Sequence, residues 1–246
     1  MTGERAAHWQ AGLDQLQASG RLPSVVAGVL ARGELVWTGV SGDGALDRAY
    51  RIGSVTKTLT AVAVLRLRDE GRLSLDDQLG RIVPESGYAD ATLRMLLDHT
   101  SGLPSEPAGP WWERSPGVEF AALNAANDAT RAVARPGSYF HYSNLGYALL
   151  GEVVARLRGA TWWEVVSREI LGPLGMSQTT YDAPERCAQG YSVDHFAGTL
   201  TREPHQHTGA MAPAGQLWST IGDLARWAGS SSRPTPACST RPRCAR

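Results

Sequence analysis

RIGSVTKTLTAVAVL, residues 51–65, contains Lys57, the one lysine of the chain. Lys and Arg together number 24, so the other 23 are arginine. Either residue serves as a plain surface cation. A group that must lose and regain a proton has to be lysine, because arginine stays protonated in proteins. The apolar positions Leu59, Val62, Ala63, Leu65 and Leu67 predict a helix from Val55 to Glu70, stopped by Gly71. Ser54 lies three residues before Lys57, so a helix starting near Ser54 puts both side chains on one face. The hydroxyl then sits at the positive end of the helix dipole, which favours a developing alkoxide. A neutral lysine beside it can take the serine proton, and burial depresses the lysine pKa in that direction. The plainer alternative is an N-capping serine ahead of a surface lysine. The arginine bias favours the catalytic reading.

A second constellation is RPGSYFHYSNLGYALLGEVVARLRG, residues 135–159. A Pro-Gly turn leads through an aromatic segment into a predicted helix at 143–158. Tyr142, Ser143 and Asn144 stand at the loop-to-helix junction, where side chains can face a cleft. A phenol near a lysine ammonium can act as a general acid or base. Asn144 can hold Lys57 or donate to a substrate carbonyl. The alternative is a core tyrosine at 142 and an N-cap at Asn144.

Elsewhere, residues 5–19 predict an amphipathic helix with Trp9, Leu13 and Leu16 on one face. SVVAGVLARGELVWTGVSG predicts a β-hairpin turning at Arg32-Gly33-Glu34. DATLRMLLDHTSGLP reads as a short helix entering a Gly/Pro loop. Residues 104–118 form a loop carrying Trp111 and Trp112, either an apolar wall for a substrate or packing. Helices are predicted at 119–134, at 161–171 with a Thr161/Glu164 capping box, and at 219–229 capped by Ser219 or Thr220. Residues 230–246, rich in Ser, Pro, Arg and Cys, have almost nothing to bury and predict a disordered tail.

A formal net charge of zero argues against nucleic acid or an acidic membrane as partner. No apolar run reaches the length of a membrane span, and no signal peptide opens the chain, so a cytoplasmic location is expected. Cys187, Cys238 and Cys244 suggest neither a disulfide framework nor a metal site, and no cofactor is expected.

GSVTKTLTAVAVLRLRDEGRLSLDDQLGRIVPE, TLRMLLDHTSGLP, PGSYFHYSNLGYALLGEVV, LGPLGMSQTTY and MAPAGQLWSTIGDLARWA follow one another in the chain. Together they resemble the serine β-lactamase-related family of class C β-lactamases, D-alanyl-D-alanine carboxypeptidases and lactamase-like esterases. The resemblance runs from about residue 20 to 229. It implies an α+β fold of the β-lactamase/transpeptidase type, an antiparallel sheet with a helical domain. Residues 1–50 would belong to the sheet domain and 51–229 to the mainly helical domain. Ser54 would be the acylated nucleophile, Lys57 its proton acceptor and Tyr142 the shuttle to the leaving group. The Ser54 backbone N–H would supply half of an oxyanion hole. Asn144, Trp111 and Trp112 are read separately as the candidate substrate-binding or supporting residues. The substrate would be a small ester, amide or peptide.

The family also carries a Lys/His-Thr/Ser-Gly strand after the segment matching STIGDLARWA. His207-Thr208-Gly209 spells that triplet but precedes MAPAGQLWST, so it reads as coincidental. The expectation is therefore that the C-terminal strands of the sheet are missing and that the tail is a frame-shift or truncation product. The hairpin at 24–41 would then keep an open edge that invites self-association. Loss of the strand that binds a substrate carboxylate favours ester hydrolysis. The alternative is an impaired or ligand-binding remnant.

Overall fold

The computed structural model describes residues 3–194 and 196–231. In chain order the elements are α1 (Gly3–Ser19), β1 (Ser24–Ala31), β2 (Glu34–Gly42), β3 (Tyr50–Arg51), α2 (Thr56–Asp69) and α3 (Leu93–Leu97). They continue with α4 (Phe120–Ala125), α5 (Asn144–Arg158), α6 (Trp162–Val166), β4 (Tyr191–Asp194) and β5 (Thr199–Arg202). The last are α7 (Ala212–Gly215), β6 (Trp218–Ser219) and α8 (Ile221–Ser231). Helices and small antiparallel sheets make this an α+β fold. Among the described residues no helix is long and apolar enough to cross a membrane.

Contacts divide the chain into two compact units. One holds the residues up to Asp47 together with the helix that starts at Ile221; the other is Arg48–Thr220. In the first unit, β1 and β2 pair antiparallel from Ser24↔Gly42 to Ala31↔Glu34. The two loop residues, Arg32 and Gly33, both have positive φ (53° and 80°). That is the backbone of a type I′ turn, whose twist suits a hairpin. Among the described residues this sheet has two strands, a number that is marginal without a helix against it. Both α1 and α8 pack on it. The Trp9 ring meets the Trp37 ring edge-on at 5.6 Å, and Gln10 Nε2 donates to the Val40 carbonyl at 2.9 Å. Gly28 leaves room for Ile221: a Cβ there would lie 3.1 Å from Ile221 Cγ1.

In the second unit, α2, α5 and α7 pack on one another. α5 is buried from Leu145 to Gly151 and again at Val153 and Val154, which makes it the central helix. Its start is capped by Ser143, whose Oγ accepts from Gly146 N at 3.0 Å, so the cap is not Asn144. The 161–171 segment opens with the expected capping box. Thr161 Oγ1 accepts from Glu164 N at 3.2 Å, and Glu164 Oε2 accepts from Thr161 N at 2.8 Å. After Val166 it continues as a π-helical turn, Ser167–Leu171.

The helix predicted over 119–134 is shorter, Phe120–Ala125, followed by a 3₁₀ turn at Ala129–Arg131. Asn127 explains the stop. Its buried amide donates to the Leu123 carbonyl at 2.8 Å and accepts from Ala108 N at 2.8 Å, while the Asp128 side chain accepts from Thr130 N at 2.9 Å. The β4–β5 hairpin was not foreseen, because its residues are mostly exposed and its apolar alternation is short, Tyr191 and Val193 in β4 and Leu200 alone in β5. Ser230 and Ser231 belong to α8, and the rest of the predicted tail lies outside the described residues.

Gly151 of α5 faces Pro213 of α7 so closely that a Cβ would lie 2.7 Å from Pro213 Cβ and nearer still to its Cγ. Helix propensity alone favours Gly→Ala by about 1 kcal/mol. Overpacking costs about 1–3 kcal/mol and wins here. Gly151→Ala is therefore expected to lower the urea midpoint; a raised midpoint would mean that α5 and α7 do not meet at this point.

Candidate active site

β3 pairs antiparallel with β6, Tyr50↔Ser219 and Arg51↔Trp218. Ile52 N donates to the Leu217 carbonyl at 2.8 Å. This fastening delivers the chain into a 3₁₀ turn, Gly53–Val55, that runs straight into α2. Ser54 is exposed on the turn, and Lys57, one turn later, is buried with 5% exposure. No side-chain cap bond starts α2, so Ser54 is not acting as an N-cap.

Lys57 Nζ reaches three acceptors from three segments. It donates to Ser54 Oγ at 3.2 Å, to Asn144 Oδ1 at 2.6 Å and to the Ala214 carbonyl of α7 at 2.7 Å. An ammonium has three N–H bonds, so all are used. Nζ also lies 4.9 Å from the centre of the Tyr142 ring and 5.7 Å from that of Tyr147. Burial pushes the Lys57 pKa below the usual lysine range; Tyr142, Glu106 and Glu113 pull partly the other way.

Tyr142 hydroxyl donates to Ser54 Oγ at 2.9 Å, so the serine oxygen sits between the phenol and the amine. The Tyr142 ring lies on the His99 ring, centroids 4.4 Å apart. His99 has φ +62°, a strained value for a residue with a side chain. The strain places its Nδ1 to accept from Ser143 N at 3.1 Å and its carbonyl to accept from His141 N at 2.7 Å. The loop after α3 completes the frame: Ser105 O accepts from Asn144 N at 2.8 Å, and Pro104 O from Ser143 Oγ at 2.7 Å.

The structure thus gathers Ser54, Lys57, Tyr142 and Asn144 in one hydrogen-bonded group. Trp112 is buried and joins through its Nε1, which donates to Glu106 Oε2 at 2.7 Å. Trp111 is 60% exposed and its Nε1 donates to Glu113. Glu106, which also accepts from Asn144 Nδ2 at 2.7 Å, was missed in the sequence. His207-Thr208-Gly209 is tied elsewhere: Gly117 N donates to the His207 carbonyl, Gly209 bridges Val118, and Thr208 bonds Gln216 Oε1.

A sequence model of the Beta-lactamase family matches residues 9–240. The chain belongs to the beta-lactamase family. Among similar proteins in it is beta-lactamase-like protein 2 of Dictyostelium discoideum, 30% identical over 84% of this chain and 42% of that protein. The D-alanyl-D-alanine-carboxypeptidase/endopeptidase AmpH of Escherichia coli is 33% identical over 74% of this chain and 48% of its own length. The chain spans about half the length of these curated relatives. The solved D-stereospecific amidohydrolase from Streptomyces sp. superposes with TM-score 0.77 at 30% identity, over 90% of this chain and 72% of that one.

With one lysine in the chain, selective ¹³Cε-lysine labelling yields one side-chain signal. Its titration midpoint is expected below the ordinary lysine value of about 10.4. A midpoint at or above that value would contradict the buried, desolvated placement of the amine.

Proposed function

We propose that the chain is a serine hydrolase that forms an acyl-enzyme on Ser54 from a small ester or amide. The observation that carries this reading is the position of Ser54 Oγ, 3.2 Å from the Lys57 amine and 2.9 Å from the Tyr142 hydroxyl. Two of the three partners of Lys57, Asn144 Oδ1 and Ala214 O, are acceptors only. A neutral Lys57 keeps its two N–H bonds on them, and its lone pair faces Ser54. The Ser54 proton passes to Nζ as Oγ attacks the carbonyl carbon. Tyr142, at the exposed side of Oγ, hands its proton to the leaving oxygen or nitrogen and is then reprotonated through Lys57. Water repeats the attack on the acyl group with the roles reversed. The Ser54 N–H, in the 3₁₀ turn that leads into α2, supports the oxyanion. The names of the relatives, a D-alanyl-D-alanine-carboxypeptidase and a D-stereospecific amidohydrolase, support testing D-amino-acid amides beside esters.

Wild-type protein is expected to take a fluorescent phosphonate label that Ser54→Ala loses. Lys57→Arg is expected to slow labelling about 10²–10⁴-fold, since the general base is removed. In wild type the labelling rate rises with pH through the depressed Lys57 pKa, because deprotonation creates the base. A panel of p-nitrophenyl esters, nitrocefin and D-alanyl amides identifies the substrate class. Equal rates in wild type and Ser54→Ala on every member would remove the proposal.

A further inference from the structure

Glu106 lies in the Pro/Gly loop after α3, and its two carboxylate oxygens each hold one donor. Oε1 accepts from Asn144 Nδ2 at 2.7 Å and Oε2 accepts from Trp112 Nε1 at 2.7 Å. An indole N–H can only donate, and so can an amide nitrogen. Among side chains of this length, a carboxylate is the one that presents two separate acceptor oxygens, one to each donor. The Asn144 amide is thereby held from both ends. Its nitrogen must face Glu106, and its oxygen must face Lys57, which presents N–H at 2.6 Å. A flipped amide would set N–H against N–H on one side and oxygen against carboxylate on the other.

We propose that Glu106 is a positioning residue that locks the Asn144 amide with its oxygen toward Lys57, so that the amide presents no N–H to the lone pair that faces Ser54. The catalytic consequence rests on the acyl-enzyme reading above; the orientation itself does not. Ala214 offers Lys57 a carbonyl oxygen, which has no proton to give. Asn144 could offer N–H to the lone pair only if its amide flips. Such a flip would draw the lone pair away from Ser54. The aromatic and charged groups around the amine are the rings of Tyr142 and Tyr147, the imidazole of His99 and the carboxylates of Glu106 and Glu113.

The test compares wild type, Glu106→Gln and the double variant Glu106→Gln/Trp112→Phe. Glutamine keeps the shape but has one acceptor oxygen, and sets an NH2 donor against the other donor. In Glu106→Gln the Lys57 ¹³Cε midpoint is expected to move further down, since a negative charge that raises it is gone. Charge alone would then leave Lys57 neutral over a wider pH range and labelling of Ser54 no slower. A misdirected amide instead predicts labelling roughly 10- to 100-fold slower even at pH values where Lys57 is neutral in both proteins. Its Asn144 side-chain ¹⁵N–¹H signals should also shift. Trp112→Phe removes the competing donor, so the lone glutamine oxygen is free for Asn144. The double variant is expected to recover about tenfold of the rate and to return the Asn144 signals toward wild type, a non-additive result. Wild-type labelling rate in Glu106→Gln at high pH, with unmoved Asn144 signals, would overturn the assignment, as would a double variant no faster than the single one. The NMR signals are read without turnover. A wild-type chain that never labels therefore defeats the acyl-enzyme reading alone, and unmoved Asn144 and Lys57 signals in Glu106→Gln defeat the positioning role alone.

Discussion

A buried amine must be satisfied on every N–H, and the second unit is organised around that demand. An uncompensated ammonium out of water costs several kcal/mol. Lys57 avoids this with one acceptor from the turn before α2, one from α5 and one from α7. Its neighbours on α2 do the same with neutral groups. Thr56 Oγ1 accepts from Leu217 N at 3.3 Å, and Thr60 Oγ1 donates to the Pro213 carbonyl at 2.9 Å while accepting from Trp162 Nε1 at 3.1 Å. One stripe of α2, positions 56, 57 and 60, is thus polar, buried and pinned to 213–217. The other buried positions, Leu59, Ala63, Val64 and Leu67, supply apolar area. The apolar stripe gives the helix a reason to be buried, and the polar stripe fixes where it stops, because each bond is lost by a small slide or rotation.

The parts of this arrangement that were legible in the sequence are those whose residue type is chemically unusual for its place. One lysine among arginines, with a serine a helical turn before it, marks the proposed nucleophile and base without any contact information. Tyr142 and Asn144 were legible as a junction, though the cap turned out to be Ser143. Glu106 was not legible. An acidic residue in a Pro/Gly loop reads as solvated, and its role depends on α5 and the 111–112 segment arriving from other parts of the chain. Trp112 was visible as an aromatic, but its indole N–H had no partner to point at until Glu106 was in place. Asn127 hid the end of α4 for the same reason: the helix stops because its amide finds Ala108, nineteen residues upstream in sequence.

The amine and the phenol on either side of Ser54 Oγ are set in opposite environments. Lys57 is 5% exposed and Tyr142 38% exposed. Burial depresses the pKa of a cation by penalising its charged form, so the buried side is where a lysine becomes a base. In the proposed mechanism the wet side is where the leaving group departs and water enters, so the proton carrier belongs there. Exchanging the two positions would leave an exposed lysine charged and a buried phenol even harder to ionise. Tyr147 shows that second effect, since burial pushes its pKa up.

His99 extends the same electrostatics one shell outward. Its pKa is lowered first by burial and then by the charge of Lys57, both of which keep its ring neutral. Neutrality has a structural use, because Nδ1 accepts from Ser143 N and can do so only without a proton. Ser143 in turn caps α5 through Gly146 N and bonds Pro104, which holds the loop that carries Glu106. The contacts of His99 thus run from the surroundings of Lys57 to the helix start that presents Asn144 back to it. The strained backbone at His99 belongs to this loop of dependencies: it aims Nδ1 at Ser143 and the ring at Tyr142 together.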